Sequence, residues 1–259
     1  RECQWLTACS GAGAEHLQRL TDEPAKIALN YHGIDLERFP PPPRARPGTD
    51  GADPARPVQI LAVGRAVDKK GFDDLLHALA TLATPTALPT PHWRLTHVGD
   101  GALLPALKAL AVALELAGRI AWLGALDQAR LLPRYRQADL LVLPSRVSAD
   151  GDRDGLPNVL LEAQSQALAV VTTPVGGIGE LIDDQVNGLL VPEHDPTALA
   201  AALQRLLADP ALRARFGEAG QARVRQRFSL STNIGPLAAQ FGLNGKRDVA
   251  PDLAAGAGT

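Results

Sequence analysis

Leu140-Leu141-Val142-Leu143 ends at Pro144, and Asp150-Gly151-Asp152-Arg153-Asp154-Gly155-Leu156-Pro157-Asn158-Val159-Leu160-Leu161-Glu162 follows a few residues later. A short run of apolar residues bounded by a proline predicts a strand buried on both faces. The loop after it is acidic and rich in glycine. Pro157 suits a first helical residue, since its missing N–H would be unpaired there anyway. From Asn158 onward Val159, Leu160, Ala163 and Ala167 recur at helical spacing. The unit is therefore strand, loop, helix. The helix start aims free N–H groups and a positive dipole end at the loop, which suits an anion such as phosphate. Asp154 lies in that loop, and Glu162 lies over a turn into the helix. A carboxylate at that depth can accept hydrogen bonds from sugar or ribose hydroxyls. Two acids among the 28 of the chain are weak evidence by themselves, and solvated loop acids are the plain alternative.

The same alternation extends in both directions. Strands are predicted at 58–63, 93–98, 119–123, 139–143, 169–173 and 188–191. Helices are predicted at 72–82, 103–116, after Asp127 to Gln137, at 158–167, after Asp195 to Ala208, and from Asp209-Pro210 to Phe228. Six strands alternating with helices predict an α/β protein with a doubly wound, parallel, Rossmann-like sheet. Ligands of such sheets sit outside the carboxyl ends of the strands, near the point where strand order reverses. Upstream, 4–8 and 27–31 are strand-like, and Ser10 is placed to cap a helix through Leu20. Residues 40–57 read as a proline-rich linker, 85–91 as a proline-rich surface loop, and 243–259 as a disordered tail.

Of the 259 residues, 46% are hydrophobic and 21% are charged, with a net charge of −2. This is the composition of a globular protein without a basic field for nucleic acid. No apolar run approaches the ~20 residues of a membrane-spanning helix. Cys3 and Cys9 are expected to be small buried residues in a reducing compartment rather than a disulfide or a metal site. His77, His92, His97 and His194 share no ligand spacing and are expected to be surface or hydrogen-bonded histidines, so no metal is assigned. There is no methionine, and the chain opens in mid-pattern. The expectation is a fragment lacking the part before it, whose residues 1–39 pack poorly for want of partner strands.

Several loops carry chemistry. Gly64 allows a tight turn after the first main strand, and Arg65 and Lys70 place two cations at that strand end. An Arg fork and a Lys point charge together suit a diphosphate. A solvated basic helix start with Lys69 exposed is the plain alternative. No Walker loop and no Gly-x-Gly-x-x-Gly follows the strand, which disfavours an ordinary NTPase or dinucleotide site. Gly176 and Gly177, in Gly176-Gly177-Ile178-Gly179-Glu180, offer a close approach of backbone to ligand. Gly99-Asp100-Gly101 reads as a structural turn.

Taken together, Val-Gly-Arg at 63–65, Lys-Gly at 70–71, Val-Gly-Asp-Gly at 98–101, Asp-Gly-Leu-Pro-Asn-Val-Leu-Leu-Glu-Ala at 154–163, Gly-Gly-Ile-x-Glu at 176–180 and Asn-Gly-Leu-Leu-Val-Pro at 187–192 resemble the C-terminal half of a group 1 (family 4) glycosyltransferase. The subgroup most resembled makes exopolysaccharides of the colanic-acid kind. Tyr31 to Phe39 resembles the segment that joins the two Rossmann-like domains of such GT-B enzymes. The resemblance implies a donor domain over 58–242, preceded by a remnant of an acceptor domain at 1–39. It implies that Arg65 and Lys70 bind the diphosphate of a UDP- or GDP-sugar and stabilise the leaving nucleotide. Glu162 would bind ribose hydroxyls, the amides of Asn158 and Val159 would face phosphate or sugar, and Leu126 would lie beside the base. Asp154 stands where the family has Glu against the transferred sugar, and its side chain is shorter. Ala167 and Ala169 replace the usual Gly and Pro, and Gly179 replaces Pro.

The family retains anomeric configuration and uses no metal. A hexosyl-type transferase is implied, inactive as a fragment, cytoplasmic or peripheral at the inner membrane face. Its acceptor would be a sugar or a lipid-linked sugar held by the absent domain. Two alternatives are a non-catalytic nucleotide-sugar-binding module and another GT-B chemistry such as a phosphorylase or epimerase.

Overall fold

The structure, a computed structural model, describes residues 3–43, 48–83 and 91–243. Most of the predicted loop at 85–91, part of the linker and nearly all of the predicted tail lie outside the described residues.

The chain opens with β1 (Leu6–Ala8), α1 (Gly11–Arg19) and β2 (Ile27–Leu29), and β1 and β2 pair in parallel as a two-stranded sheet. Ser10 accepts from the Gly13 amide at 3.2 Å and caps α1, as its position predicts. The main domain follows with β3 (Val58–Val63), α2 (Phe72–Ala83), β4 (Trp93–Val98), α3 (Leu104–Ala113), β5 (Ile120–Trp122), α4 (Gln128–Gln137), β6 (Leu140–Leu143), α5 (Asn158–Ser165), β7 (Ala169–Thr172), α6 (Ile178–Leu181), β8 (Leu189–Leu190), α7 (Pro196–Ala208), α8 (Pro210–Arg227) and α9 (Leu230–Gln240). Asp127, Asp195 and Asp209 each accept an amide three residues on, at 2.8 Å, and so start α4, α7 and α8 where their side chains predict.

The six strands of the main sheet are all parallel, in the order β5-β4-β3-β6-β7-β8. This is the order of the doubly wound nucleotide-binding sheet, with its reversal between β3 and β6. All four residues of β6 are 0% exposed, because helices cover both faces of a parallel sheet. Four uninterrupted apolar residues were the sign of it in the sequence.

Of the segment expected to pack poorly, the described residues 3–39 pack better than that. Ile34 and Phe39 are 7% and 6% exposed and belong to the core of the main domain. The Ile34 amide donates to the Phe228 carbonyl at 2.8 Å, and the Leu230 amide returns to Ile34 at 2.9 Å. Ile34 therefore gains its backbone partners from the junction of α8 and α9. The linker is also docked: Arg136 and Gln166 each donate to the Pro40 carbonyl at 3.0 Å. Cys3 and Cys9 are exposed rather than buried, since a two-stranded sheet has too little surface to cover them.

Candidate functional site

At the reversal point the loops after β3 and β6 lie against each other. Gly71, at φ 60°, ends the 3₁₀ turn Asp68–Lys70; a Cβ there would sit 2.1 Å from the Pro144 carbonyl oxygen. Only glycine allows this contact without strain. The contact brings Lys70 beneath the acidic loop, where it is 8% exposed. Its ammonium donates to Asp154 Oδ2 at 2.7 Å, and the Ser145 hydroxyl donates to the same oxygen at 2.8 Å. Arg65 stands at the same strand end, exposed and without an ion pair among the described residues. Lys70 and Asp154 thus meet directly, and Arg65 stands at the end of the same strand.

Two neighbours differ from expectation. Lys69 is not a solvated side chain: it is only 14% exposed and reaches Asp152 at 3.0 Å and Asp154 at 3.9 Å. The acidic loop curls back over the basic turn and screens it from water. Arg146 was not singled out in the sequence. It is buried, pairs with Asp68, Asp73 and Asp74, and its amide donates to the Lys69 carbonyl at 2.9 Å. It joins the β6 loop to the start of α2. An arginine three residues after an all-apolar strand was the available signal, but its three acids lie far away in sequence.

Pro157 is the residue before α5 rather than its first residue, with φ −66° and ψ 124°. It has no side chain to cap the helix, so the first amides of α5, at Asn158 and Val159, have no capping acceptor. Val159 itself packs against the core. Gly176, at φ 60°, would place a Cβ 2.1 Å from the Asp154 carbonyl oxygen, and the Gly177 amide donates to the Gly155 carbonyl at 2.7 Å. The close approach of Gly176 and Gly177 is therefore to the backbone of the acidic loop. Leu126 follows the edge strand β5, two strands from β3, and packs against the core.

On the other side of the acidic loop, Glu162 faces a cleft of about 350 Å³ lined by His32 to Asp35, Leu156, Asn158, Leu161 and Glu162. Burial raises the pKa of its carboxyl group, and the hydrogen bond from the Tyr135 hydroxyl, at 2.7 Å, works against that rise. Tyr135 is fully buried, so it fixes Glu162 at the cleft wall. The approach of residues 32–35 to α5 is tertiary and leaves no local mark in the sequence of the joining segment.

His97 departs from expectation most. It is 2% exposed on β4, edge-on to Phe72 at 4.7 Å and beside Trp122 at 5.2 Å. Neither ring nitrogen has a hydrogen-bond partner. Burial, with a smaller contribution from Lys108, lowers its pKa to about 4.

Known proteins resemble this chain in sequence and fold. Residues 50–223 match the family described as glycosyl transferases group 1. The Escherichia coli protein WcaL, assigned to colanic acid biosynthesis, is 33% identical over 190 residues, covering 73% of this chain and 44% of its own. A D-inositol 3-phosphate glycosyltransferase of Saccharomonospora viridis is 34% identical over 238 residues, covering 88% of this chain and 53% of its own. The chain thus spans about half the length of the curated relatives it matches. Among solved structures, Anabaena HepE in complex with UDP-glucose superposes with a TM-score of 0.77 at 22% identity, over 93% of this chain and 64% of that one. A Rickettsia africae glycosyltransferase gives 0.77 at 20% identity, over 92% and 62%. These likenesses place the fold with one half of the GT-B architecture, and by its match over most of its length the chain belongs to the group 1 glycosyl transferases.

Proposed function

We propose that this chain carries the donor-binding half of a retaining glycosyltransferase that takes a sugar from a UDP- or GDP-sugar without a metal. The observation that carries this reading is the pairing at the reversal point: Lys70, nearly buried, beside free Arg65, next to the uncapped start of α5. Two cations and a helix N-terminus can hold a diphosphate, and the cations can take the developing charge of the leaving nucleotide. Glu162, held by Tyr135, offers a carboxylate to ribose hydroxyls. Relatives assigned to exopolysaccharide synthesis support an acceptor that is a growing polysaccharide or its lipid-linked precursor. No helix among the described residues is long and apolar enough to cross a membrane. The acceptor itself would be positioned by a second domain. Because positioning contributes ~7–11 kcal/mol to such reactions, this half alone would transfer sugar negligibly.

Calorimetry with UDP and GDP tests the reading. Arg65→Ala is the cleaner variant, because the Arg65 side chain makes no hydrogen bond or ion pair among the described residues. It should weaken nucleoside diphosphate binding by about 1.5–3 kcal/mol, the value of a charge-assisted bond. Binding should persist in EDTA. Failure of the parent chain to bind either nucleotide, or unchanged binding by Arg65→Ala, would refute the phosphate assignment.

A further inference from the structure

The cleft beside Glu162 has a second polar wall that the reading above does not use. His32 lies on the segment after β2, across from the first turn of α5. Its ring is partly buried, and its Nε2 is shut off from solvent without any hydrogen-bond partner. The chain on both sides of His32 is held in place. Next to it, the Tyr31 hydroxyl donates to Glu180 at 2.7 Å, and Gly33 presses on the backbone of Leu230, where a Cβ would come within 2.4 Å.

We infer that His32 is a specificity-determining residue that hydrogen-bonds a hydroxyl of the bound nucleotide sugar through Nε2. This rests on the proposed function. The cavity is large enough for a pentose or hexose ring, and Glu162 already presents an acceptor to it. A buried polar nitrogen without a partner is costly, by about 1–3 kcal/mol, so a ligand that supplies one gains affinity. The chemistry of the nitrogen selects the ligand group. Burial lowers the pKa of His32, while a hydrogen bond between the ring and the Asn158 side chain acts the other way, so the ring is neutral at neutral pH and Nε2 is the atom left without a partner. A neutral imidazole has one N–H and one lone pair. A hydroxyl can meet either, as donor or acceptor. A phosphate oxygen can meet only the N–H and lacks the imidazolium charge that would favour it. The hydroxyl can belong to the ribose or to the transferred sugar, and the two are separable by ligand.

The test uses this 259-residue chain with UDP, 2′-deoxy-UDP and UDP-glucose, and compares His32→Ala and His32→Asn with the parent by calorimetry. Thermal melts show whether each variant is folded. Losing one neutral hydrogen bond should weaken binding about 3- to 10-fold. If the ribose is the partner, His32→Ala weakens UDP and UDP-glucose alike but leaves 2′-deoxy-UDP near the parent value. If the transferred sugar is the partner, only UDP-glucose weakens. His32→Asn, which keeps a donor and an acceptor, should recover part of the loss. Parent-like affinity of folded His32→Ala for all three ligands would overturn the inference and leave the function reading standing. A parent chain that binds none of them would overturn both.

Discussion

At the scale of the residue, Ala167 and His97 mark where local preference is overruled. Ala167 follows α5 at φ 54°, a left-handed conformation that costs an L-residue about 1–2 kcal/mol. The turn is forced from outside: α8 lies so close that a Cβ on Gly217 would stand 2.1 Å from the Ala167 carbonyl oxygen. Ala167→Gly should therefore stabilise the chain by ~0.5–1 kcal/mol, once the ~0.4–1 kcal/mol of extra unfolded-state freedom is subtracted. Urea unfolding checks it, and a lower midpoint would show the turn is unstrained.

For His97 the sign follows from its lowered pKa of about 4. Above pH ~6.5 the ring is neutral in both states and contributes no pH dependence. Between ~6.5 and 4 the unfolded chain takes up a proton that the folded chain refuses, so stability falls with pH by up to about 1.4 kcal/mol per unit. Below that range the loss is complete. His97→Leu should flatten the stability profile in this window and leave the slope elsewhere unchanged. An equally steep profile in the variant would assign the effect to other groups. The sequence showed a histidine on a strand; only the aromatic rings from α2 and β5 made it a buried, unpaired one.

At the scale of the element, Glu180 connects two segments far apart in the chain. Its carboxylate accepts from the Gly11 amide at 2.9 and 2.8 Å and from the Tyr31 hydroxyl at 2.7 Å. An anion at the first turn of α1 completes what Ser10 begins, since the helix start leaves amides unpaired and carries the positive end of the dipole. Glu180→Ala should destabilise the docking of α1 by about 1–2 kcal/mol. Hydrogen exchange would show faster amides in α1 while β3 and β6 keep their protection. Protection unchanged in α1 would mean the contact is incidental. The motif Gly-Gly-Ile-x-Glu was legible as a turn followed by a short helix, and α6 is that helix. Its glutamate, however, looks outward to a partner that no local pattern could name.

At the scale of the whole molecule, the segment before the linker behaves as part of the domain it touches. Phe39 is 6% exposed and contributes to the same core as β3 and β6. Truncating a buried phenylalanine costs about 3–5 kcal/mol when the site cannot collapse. Phe39→Ala should lower global stability by that order, with a single unfolding transition. If denaturant melts of the variant matched the parent, residues 31–39 would be an appendage rather than a structural part. The same docking creates the cleft between His32 and Glu162, so the candidate site depends on it.

What the sequence determined by itself was everything set by local periodicity and covalent spacing. Buried apolar runs placed all six strands of the main sheet. Asp and Ser at helix starts placed the caps, because a capping side chain needs only a partner three residues away. Alternation of strand and helix settled a parallel sheet, since a parallel pair needs a crossover between its strands. From these followed the strand ends where Arg65, Lys70, Asp154 and Glu162 had to lie. Only the tertiary structure decided which side chains meet. The pairing of Lys70 with Asp154, the clamp of Arg146 on three aspartates, the hold of Tyr135 on Glu162 and the approach of His32 to α5 all join residues remote in sequence. Such contacts are fixed by how strands order themselves and how the core closes over them, and a carboxylate or an imidazole carries no local mark of the partner that packing will bring to it.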